Sequence, residues 1–117
     1  MRVIGGYLRG KKIFDPLDKS TRPLKDLVRE SIFNIIEHSN NEFVELNKAK
    51  VLDLFSGSGS FGIECLSRGA NKVIFFENYS KSVEILKKNI GQLDLNKKSQ
   101  IIIKDAYKIN KSNLIYK

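Results

Sequence analysis

The chain has 117 residues, of which 41% are hydrophobic and 29% charged, a composition ordinary for one small globular domain. It has no apolar run of the roughly 18–20 residues that a membrane helix needs, no signal-peptide core and one cysteine, Cys65, so we expect a cytoplasmic protein without membrane span or disulfide framework. The net charge of +8 is unevenly distributed, with +4 in residues 1–30, −1 in residues 31–96 and +5 in residues 97–117. The basic N-terminus favours a polyanion partner. The alternative is that a composition rich in Lys, Asn and Ile gives this charge without any partner.

Residues 1–41 predict a hairpin, a loop and a helix. The segment MRVIGGYLRGKKI alternates apolar and polar residues around glycines, which is typical of a β-hairpin or two short strands. The prolines and polar residues of FDPLDKSTRP indicate a loop. A helix-like spacing then runs to His38. The apolar residues that define this face are Leu24, Leu27, Val28, Ile32, Ile35 and Ile36.

Residues 42–117 alternate strands and helices. Short apolar runs predict buried strands at 50–55, 71–77 and 99–105. Helices are predicted at 59–69, ending at a glycine, and at 80–93, with Ser80 as the cap and an apolar face of Val83, Leu86 and Ile90. Three such units imply an α/β fold with a parallel sheet covered by helices on both faces, whose ligands bind at the carboxyl ends of the strands. We therefore expect an N-terminal arm, residues 1–41, followed by an α/β domain, residues 42–117.

The stretch VLDLFSGSGSFGIE, residues 51–64, predicts a ligand-binding turn between the first strand and its helix. Gly57 and Gly59 allow a tight turn and a close approach to a ligand, and Gly62 allows the helix to lie close to the sheet. The start of the helix presents free N–H groups, which suit an anionic or carboxylate-bearing ligand. The glycine spacing alone is a weak signal, because dinucleotide sites and chance loops share it.

Three acids at the predicted strand ends sharpen this interpretation. Glu77 follows Gly57 by 20 residues, where a carboxylate can accept both hydroxyls of a ribose; the alternative is a solvated strand-end acid. Asp53 would repel a pyrophosphate but can meet the cationic amino group of S-adenosylmethionine; the alternative is an aspartate that accepts loop N–H bonds. Asp105 can accept a hydrogen bond from an adenine amino group, although aspartate is also common in turns.

The segments TRPLKDLVRESIFNII and VLDLFSGSGSFGIECLSRGANKVIFFE closely resemble the RsmD-type methyltransferases of bacteria, and the similarity runs from Met1 to about Asp105. These enzymes methylate the exocyclic nitrogen of a guanine in 16S ribosomal RNA. The resemblance implies S-adenosyl-L-methionine as cofactor, small-subunit ribosomal RNA or the assembling small subunit as partner, and no metal. It assigns to the cofactor Asp53, Phe55, Gly57, Ser58, Gly59, Glu77, Asn78, Asp105 and Ala106. It assigns to RNA contact or site closure Arg9, Lys11, Lys12, Arg22 and Arg29; for Arg29 the alternative is a surface salt bridge to Asp26 or Glu30.

The sequence departs from this family in one respect. The family carries an Asn- or Asp-Pro-Pro-aromatic motif that holds the target base, whereas the prolines here are Pro16 and Pro23. The resemblance therefore implies an incomplete Rossmann-like methyltransferase sheet, residues 42–117 being the N-terminal half of that domain. It implies a fragment of a monomeric enzyme, with no catalytic residue of its own and no activity alone, which self-associates along an exposed VLDLF edge or is marginally stable. Two other interpretations stay open: an NAD-type dinucleotide-binding domain, and an RNA-binding protein with a vestigial cofactor site.

Overall fold

One open sheet of three parallel strands organises the computed structural model, which describes residues 1–15, 26–38, 45–54 and 56–104. Its elements in chain order are α1 (Asp26–His38), β1 (Lys50–Asp53), α2 (Ser60–Ser67), β2 (Lys72–Phe76), α3 (Ser80–Gln92), a 3₁₀ turn (Asn96–Lys98) and β3 (Ser99–Ile102). The strand order is β1-β2-β3. The predicted α/β fold with an incomplete Rossmann-like sheet is confirmed.

Strand β2 lies at the centre of the sheet, and its residues Val73 to Phe76 are all buried. Asp53 at the end of β1 pairs with Phe75, and Phe76 pairs with Ile102 of β3. The continuous apolar run of β2 reflects this burial on both faces, which is typical of a central parallel strand. All three strands therefore end at the same edge of the sheet.

The N-terminal residues form a short antiparallel pairing, as predicted, but it is limited to one β-bridge between Arg2 and Lys12. The N–H of Ile13 donates to the carbonyl of Met1 at 2.8 Å, closing the wide turn between them. Side chains from this segment and from the sheet share one hydrophobic core, which includes Val3, Leu8, Ile13, Phe33, Ile63, Leu66, Val73, Phe75, Leu86 and Ile90. Residues on both sides of the predicted boundary at residue 41 therefore pack together.

Helix α1 is present, but only part of its predicted apolar face is covered: Ile36 packs against the core, whereas other residues of that face are exposed. Leu27 and Ile35 are exposed over 75% and 67% of their surface, whereas Arg29 and Phe33 are fully buried. The Phe33 ring packs against the ring of Phe61, with 5.1 Å between centroids. These tertiary contacts decide which face of α1 is buried. Periodicity shows only that apolar residues share a face of the helix, not that this face meets the core.

Helix α3 buries Val83, Leu86 and Ile90, as the sequence predicted. Ser80, however, is the first helical residue, and the N-cap is Tyr79, without a side-chain cap hydrogen bond. Among the described residues β1 pairs only with β2 and lies at one edge of the three-stranded sheet. No helix in the described ranges is long and apolar enough to cross a membrane.

Candidate ligand site at the carboxyl edge of the sheet

The glycine turn between β1 and α2 has the geometry that its sequence predicts. Gly57 and Gly59 have φ angles of +52° and +89°, a region that favours glycine. A Cβ atom at Gly59 would lie 2.4 Å from Cδ1 of Leu86. A Cβ at Gly62 would lie 2.3 Å from Cε1 of Phe75, so this glycine lets α2 lie against β2. Neither position can take a larger residue without displacing the core.

Glu77, the acid after β2, is tied to the backbone of two loops. Its Oε1 accepts the N–H of Gly57 at 2.8 Å, and its Oε2 accepts the N–H groups of Asn78 at 3.1 Å and Tyr79 at 3.0 Å. The backbone of Glu77 itself donates to Ile102 of β3 at 3.2 Å. A carboxylate has about four acceptor positions, so roughly one remains for a ligand hydroxyl in this arrangement.

Asp53 lies at the carboxyl end of β1 and is 9% exposed. Its register partner is Phe75, two residues before Glu77, so the two acids lie on neighbouring strands at the same edge. The hydroxyl of Ser56 donates to the Asp53 carbonyl at 3.0 Å, which fixes the start of the turn. The structure thus brings together two of the three predicted acids.

The other residues assigned to the cofactor divide into two groups. Ser58 is buried in the turn, and Asn78 is exposed just after β2, next to Glu77. Phe55, Asp105 and Ala106 lie outside the described residues, so their assignment stays a prediction.

The candidate RNA contacts do not share one environment. Arg9, Lys11 and Lys12 are exposed on the N-terminal turn, and Arg22 lies outside the described residues. Arg29 is fully buried, so the expectation that it faces RNA is corrected. Its Nη2 donates to the carbonyl of Arg2 at 2.5 Å, and its Nε lies 3.9 Å from the Glu64 carboxylate on α2.

Glu64 is a fully buried carboxylate that the sequence interpretation did not single out. It accepts the N–H groups of Ile4 and Gly5 at 2.9 and 2.8 Å, and Nε of Arg68 at 2.8 Å, beside the Arg29 guanidinium. These bonds attach the N-terminal turn to the helix that follows the glycine turn. A charged residue within the apolar run FGIECL was the available signal.

Asn89 on α3 forms a second connection that sequence reasoning missed. Its Oδ1 accepts the N–H of Phe14 at 2.7 Å, while its Nδ2 donates to the carbonyls of Phe14 at 3.1 Å and Ser58 at 2.8 Å. One buried amide thus joins the N-terminal segment to the glycine turn. The signal was a polar residue beside Ile90 on the buried side of an amphipathic helix.

Comparisons with known proteins agree with these features. The family model described as conserved hypothetical protein 95 matches residues 1–114. YlbH of Bacillus subtilis is 41% identical over 106 residues, covering 91% of this chain and 54% of YlbH. Ribosomal RNA small subunit methyltransferase D of Haemophilus influenzae is 34% identical, with 91% and 52% coverage. The structure of yhhF from Escherichia coli superposes with a TM-score of 0.74 at 33% identity, covering 91% of this chain and 53% of yhhF.

The chain spans about half the length of the curated relatives it matches. The match to the family model, residues 1–114, includes the N-terminal pairing, the glycine turn and the sheet. The chain therefore belongs to the RsmD-type family, whose model matches nearly all of its length.

Proposed function

We propose that this chain is the cofactor-binding part of an S-adenosyl-L-methionine-dependent methyltransferase that acts on the exocyclic amine of a guanine in 16S ribosomal RNA. The observation that carries the proposal is the placement of Asp53 and Glu77 on neighbouring strand ends, on either side of a glycine turn. The name of the Haemophilus influenzae relative supports ribosomal RNA as the substrate class.

The donors and acceptors at this edge fit such a cofactor. The start of α2 has no side-chain cap, so its N–H groups can receive the carboxylate of the methionine part. Asp53 supplies negative charge for the cationic amino group, and Glu77 can accept a ribose hydroxyl. Two carboxylates beside the turn disfavour a pyrophosphate, so this donor set fits a sulfonium nucleoside better than NAD.

The bound cofactor supplies an activated methyl group for direct displacement. In this proposal Asp53 and Glu77 bind and orient the cofactor, and Gly57 and Gly59 hold the turn open for it. The exposed residues Arg9, Lys11 and Lys12 attract RNA phosphates. No Pro-Pro pair occurs in the 117 residues, so we expect that this chain alone does not transfer methyl groups.

Isothermal titration calorimetry tests the cofactor assignment. S-adenosylhomocysteine is expected to bind the chain, and NAD is expected to bind at least about tenfold more weakly, because its pyrophosphate meets two acids. Tighter binding of NAD would favour a dinucleotide-binding domain.

A radiolabelled methyl-transfer assay on naked 16S RNA and on assembled small subunits tests the second part. Turnover above background by the 117 residues would refute the expected inactivity. Binding of RNA without any binding of S-adenosylhomocysteine would favour the RNA-binding protein with a vestigial site.

A further inference from the structure

Two lysine ammonium groups from distant parts of the chain meet at one aromatic ring. Nζ of Lys88, on α3, lies 4.0 Å from the centroid of the Phe14 ring, and Nζ of Lys12 lies 5.4 Å from the same centroid. Both lysines are exposed, whereas Phe14 is half-buried. Both ammonium groups thus lie near the same ring, and we call this pair of lysines with Phe14 the Phe14 patch.

The backbone under this patch is fixed by side chains of α3. The Asn89 amide accepts from the Phe14 N–H at 2.7 Å and donates to the Phe14 carbonyl at 3.1 Å. Nε2 of Gln92 donates to the carbonyl of Lys12 at 2.8 Å. Asn89 is fully buried and lies next to Lys88 in the sequence. These hydrogen bonds join the two segments that carry the lysines, while the charged ends of the lysines reach solvent.

The positive charge of the Phe14 patch is not neutralised within the described ranges. Neither Lys12 nor Lys88 forms an ion pair with a carboxylate of residues 1–15, 26–38, 45–54 or 56–104. Asp15, the nearest acid in sequence, is 3.3 Å from the N-terminal amine of Met1. Two like charges near one ring repel each other, and an anion bound beside them would offset that repulsion.

We propose that Lys12 and Lys88 bind a backbone phosphate of RNA, with Phe14 positioning both ammonium groups. The inference deepens the proposed function and rests on it, because it takes RNA as the polyanion. Lysine binds phosphate as a point charge without reading sequence, so this contact contributes affinity and orientation. It extends the RNA-binding surface from Arg9 and Lys11 on the N-terminal turn to helix α3, whose charge the sequence interpretation did not use.

The test compares two double variants with the same change in net charge. Lys12→Gln/Lys88→Gln removes the Phe14 patch, and Lys97→Gln/Lys98→Gln removes two exposed lysines of the 3₁₀ turn. Fluorescence anisotropy with a labelled single-stranded RNA oligonucleotide gives the affinity of each variant over a range of salt concentrations. Thermal unfolding of both variants establishes that the exposed substitutions leave the fold intact.

We expect the patch variant to bind RNA about tenfold more weakly than the wild type, whereas the control changes affinity about twofold or less. The slope of log affinity against log salt concentration, which we call the salt slope, should become smaller in magnitude by about one in the patch variant. If the wild type binds RNA and S-adenosylhomocysteine, equal losses in the two variants, or no loss in the patch variant, would overturn this inference but not the proposed function. Absence of RNA binding by the wild type would overturn both the inference and the assignment of RNA as substrate.

A third variant separates positioning from charge. Phe14→Leu keeps an apolar side chain and both lysines but removes the ring that holds them. We expect it to lose part of the affinity, about threefold, with an unchanged salt slope, because the number of charges stays the same. Wild-type affinity in this variant would exclude a positioning role for the ring.

Discussion

The backbone N–H of Gly57 donates to Oε1 of Glu77 across 2.8 Å, so the acid after β2 is bonded to the glycine turn after β1. The same carboxylate caps the backbone of the next two residues through Oε2. Glu77 therefore shapes the proposed cofactor site in addition to the ribose contact that we propose for it. The two contributions can be separated, because one appears in stability and the other in ligand affinity.

Replacing Glu77 by Ala is expected to weaken S-adenosylhomocysteine binding by at least about tenfold and to lower the free energy of unfolding by about 1–3 kcal/mol. The variant loses an acceptor for the ribose and leaves the Gly57 N–H without its partner. Calorimetry and urea denaturation give the two quantities. Glu84→Gln, an exposed acid on α3, is the control for charge. Unchanged affinity in Glu77→Ala would remove Glu77 from the proposed site.

Asp53→Asn is expected to weaken S-adenosylhomocysteine binding by about tenfold, or about 1.4 kcal/mol, because the side chain keeps its size but loses the charge that we propose for the contact with the ligand's amino group. Asp94→Asn is a suitable control, since Asp94 is exposed and has a φ of +56° that asparagine tolerates. Titration calorimetry measures both variants. If Asp53→Asn bound the ligand as the wild type does, Asp53 would be a structural residue of the turn.

Glu64→Gln is expected to destabilise the protein by about 3–5 kcal/mol, because Arg29 would stay buried beside a neutral side chain. The control is Glu30→Gln, an exposed acid on α1, for which we expect a change within about 0.5 kcal/mol. Chemical denaturation measures both. The double variant Arg29→Met/Glu64→Leu should lose less than the sum of its single variants, and additive losses would contradict a coupled pair.

The lone thiol gives a prediction about pH. Burial, with the Asp53 and Glu64 carboxylates adding to it, raises the pKa of Cys65 from 9.0 to about 12. The native thiol thus keeps its proton at pH values where the unfolded thiol loses it, so stability falls as pH rises above about 9, by up to about 1.4 kcal/mol per pH unit. Denaturation of the wild type and Cys65→Ala between pH 8 and 10.5 measures the slope. Equal slopes in the two proteins would show that Cys65 makes no contribution.

Strand β1 lies at one edge of the described sheet, and this position leads to a prediction about self-association. Leu52 is 41% exposed there, beside a groove of about 370 Å³ that Val51, Phe61 and Cys65 help to line. We propose that the 117-residue chain self-associates through this edge, because exposed apolar side chains beside a groove are typical of an interaction surface. In sedimentation velocity Leu52→Lys should shift the chain toward monomer, whereas Leu27→Lys, on an exposed part of α1, should not. A wild type that stays monomeric at high concentration would contradict the proposal.

The elements themselves could be predicted from local pattern. The strand and helix positions from residue 50 to residue 102, the close packing at Gly62 and the acids at the strand ends all follow from periodicity, glycine chemistry and the geometry of parallel sheets. The position of the candidate site could also be predicted, because the carboxyl ends of parallel strands lie at one edge of the sheet. Local pattern did not predict which face of α1 is buried or that Glu77 bonds to the backbone of Gly57.

The sequence by itself therefore determined the order of the elements and the position of Asp53 and Glu77 at the strand ends, since both depend on residues close together in the chain. Only the tertiary structure decided that Arg29 lies inside beside Glu64, that Asn89 joins Phe14 to Ser58, and that Lys12 and Lys88 meet at one ring. Each of these arrangements brings together residues more than 25 positions apart. Its energy depends on burial and on hydrogen-bond partners that no local pattern specifies.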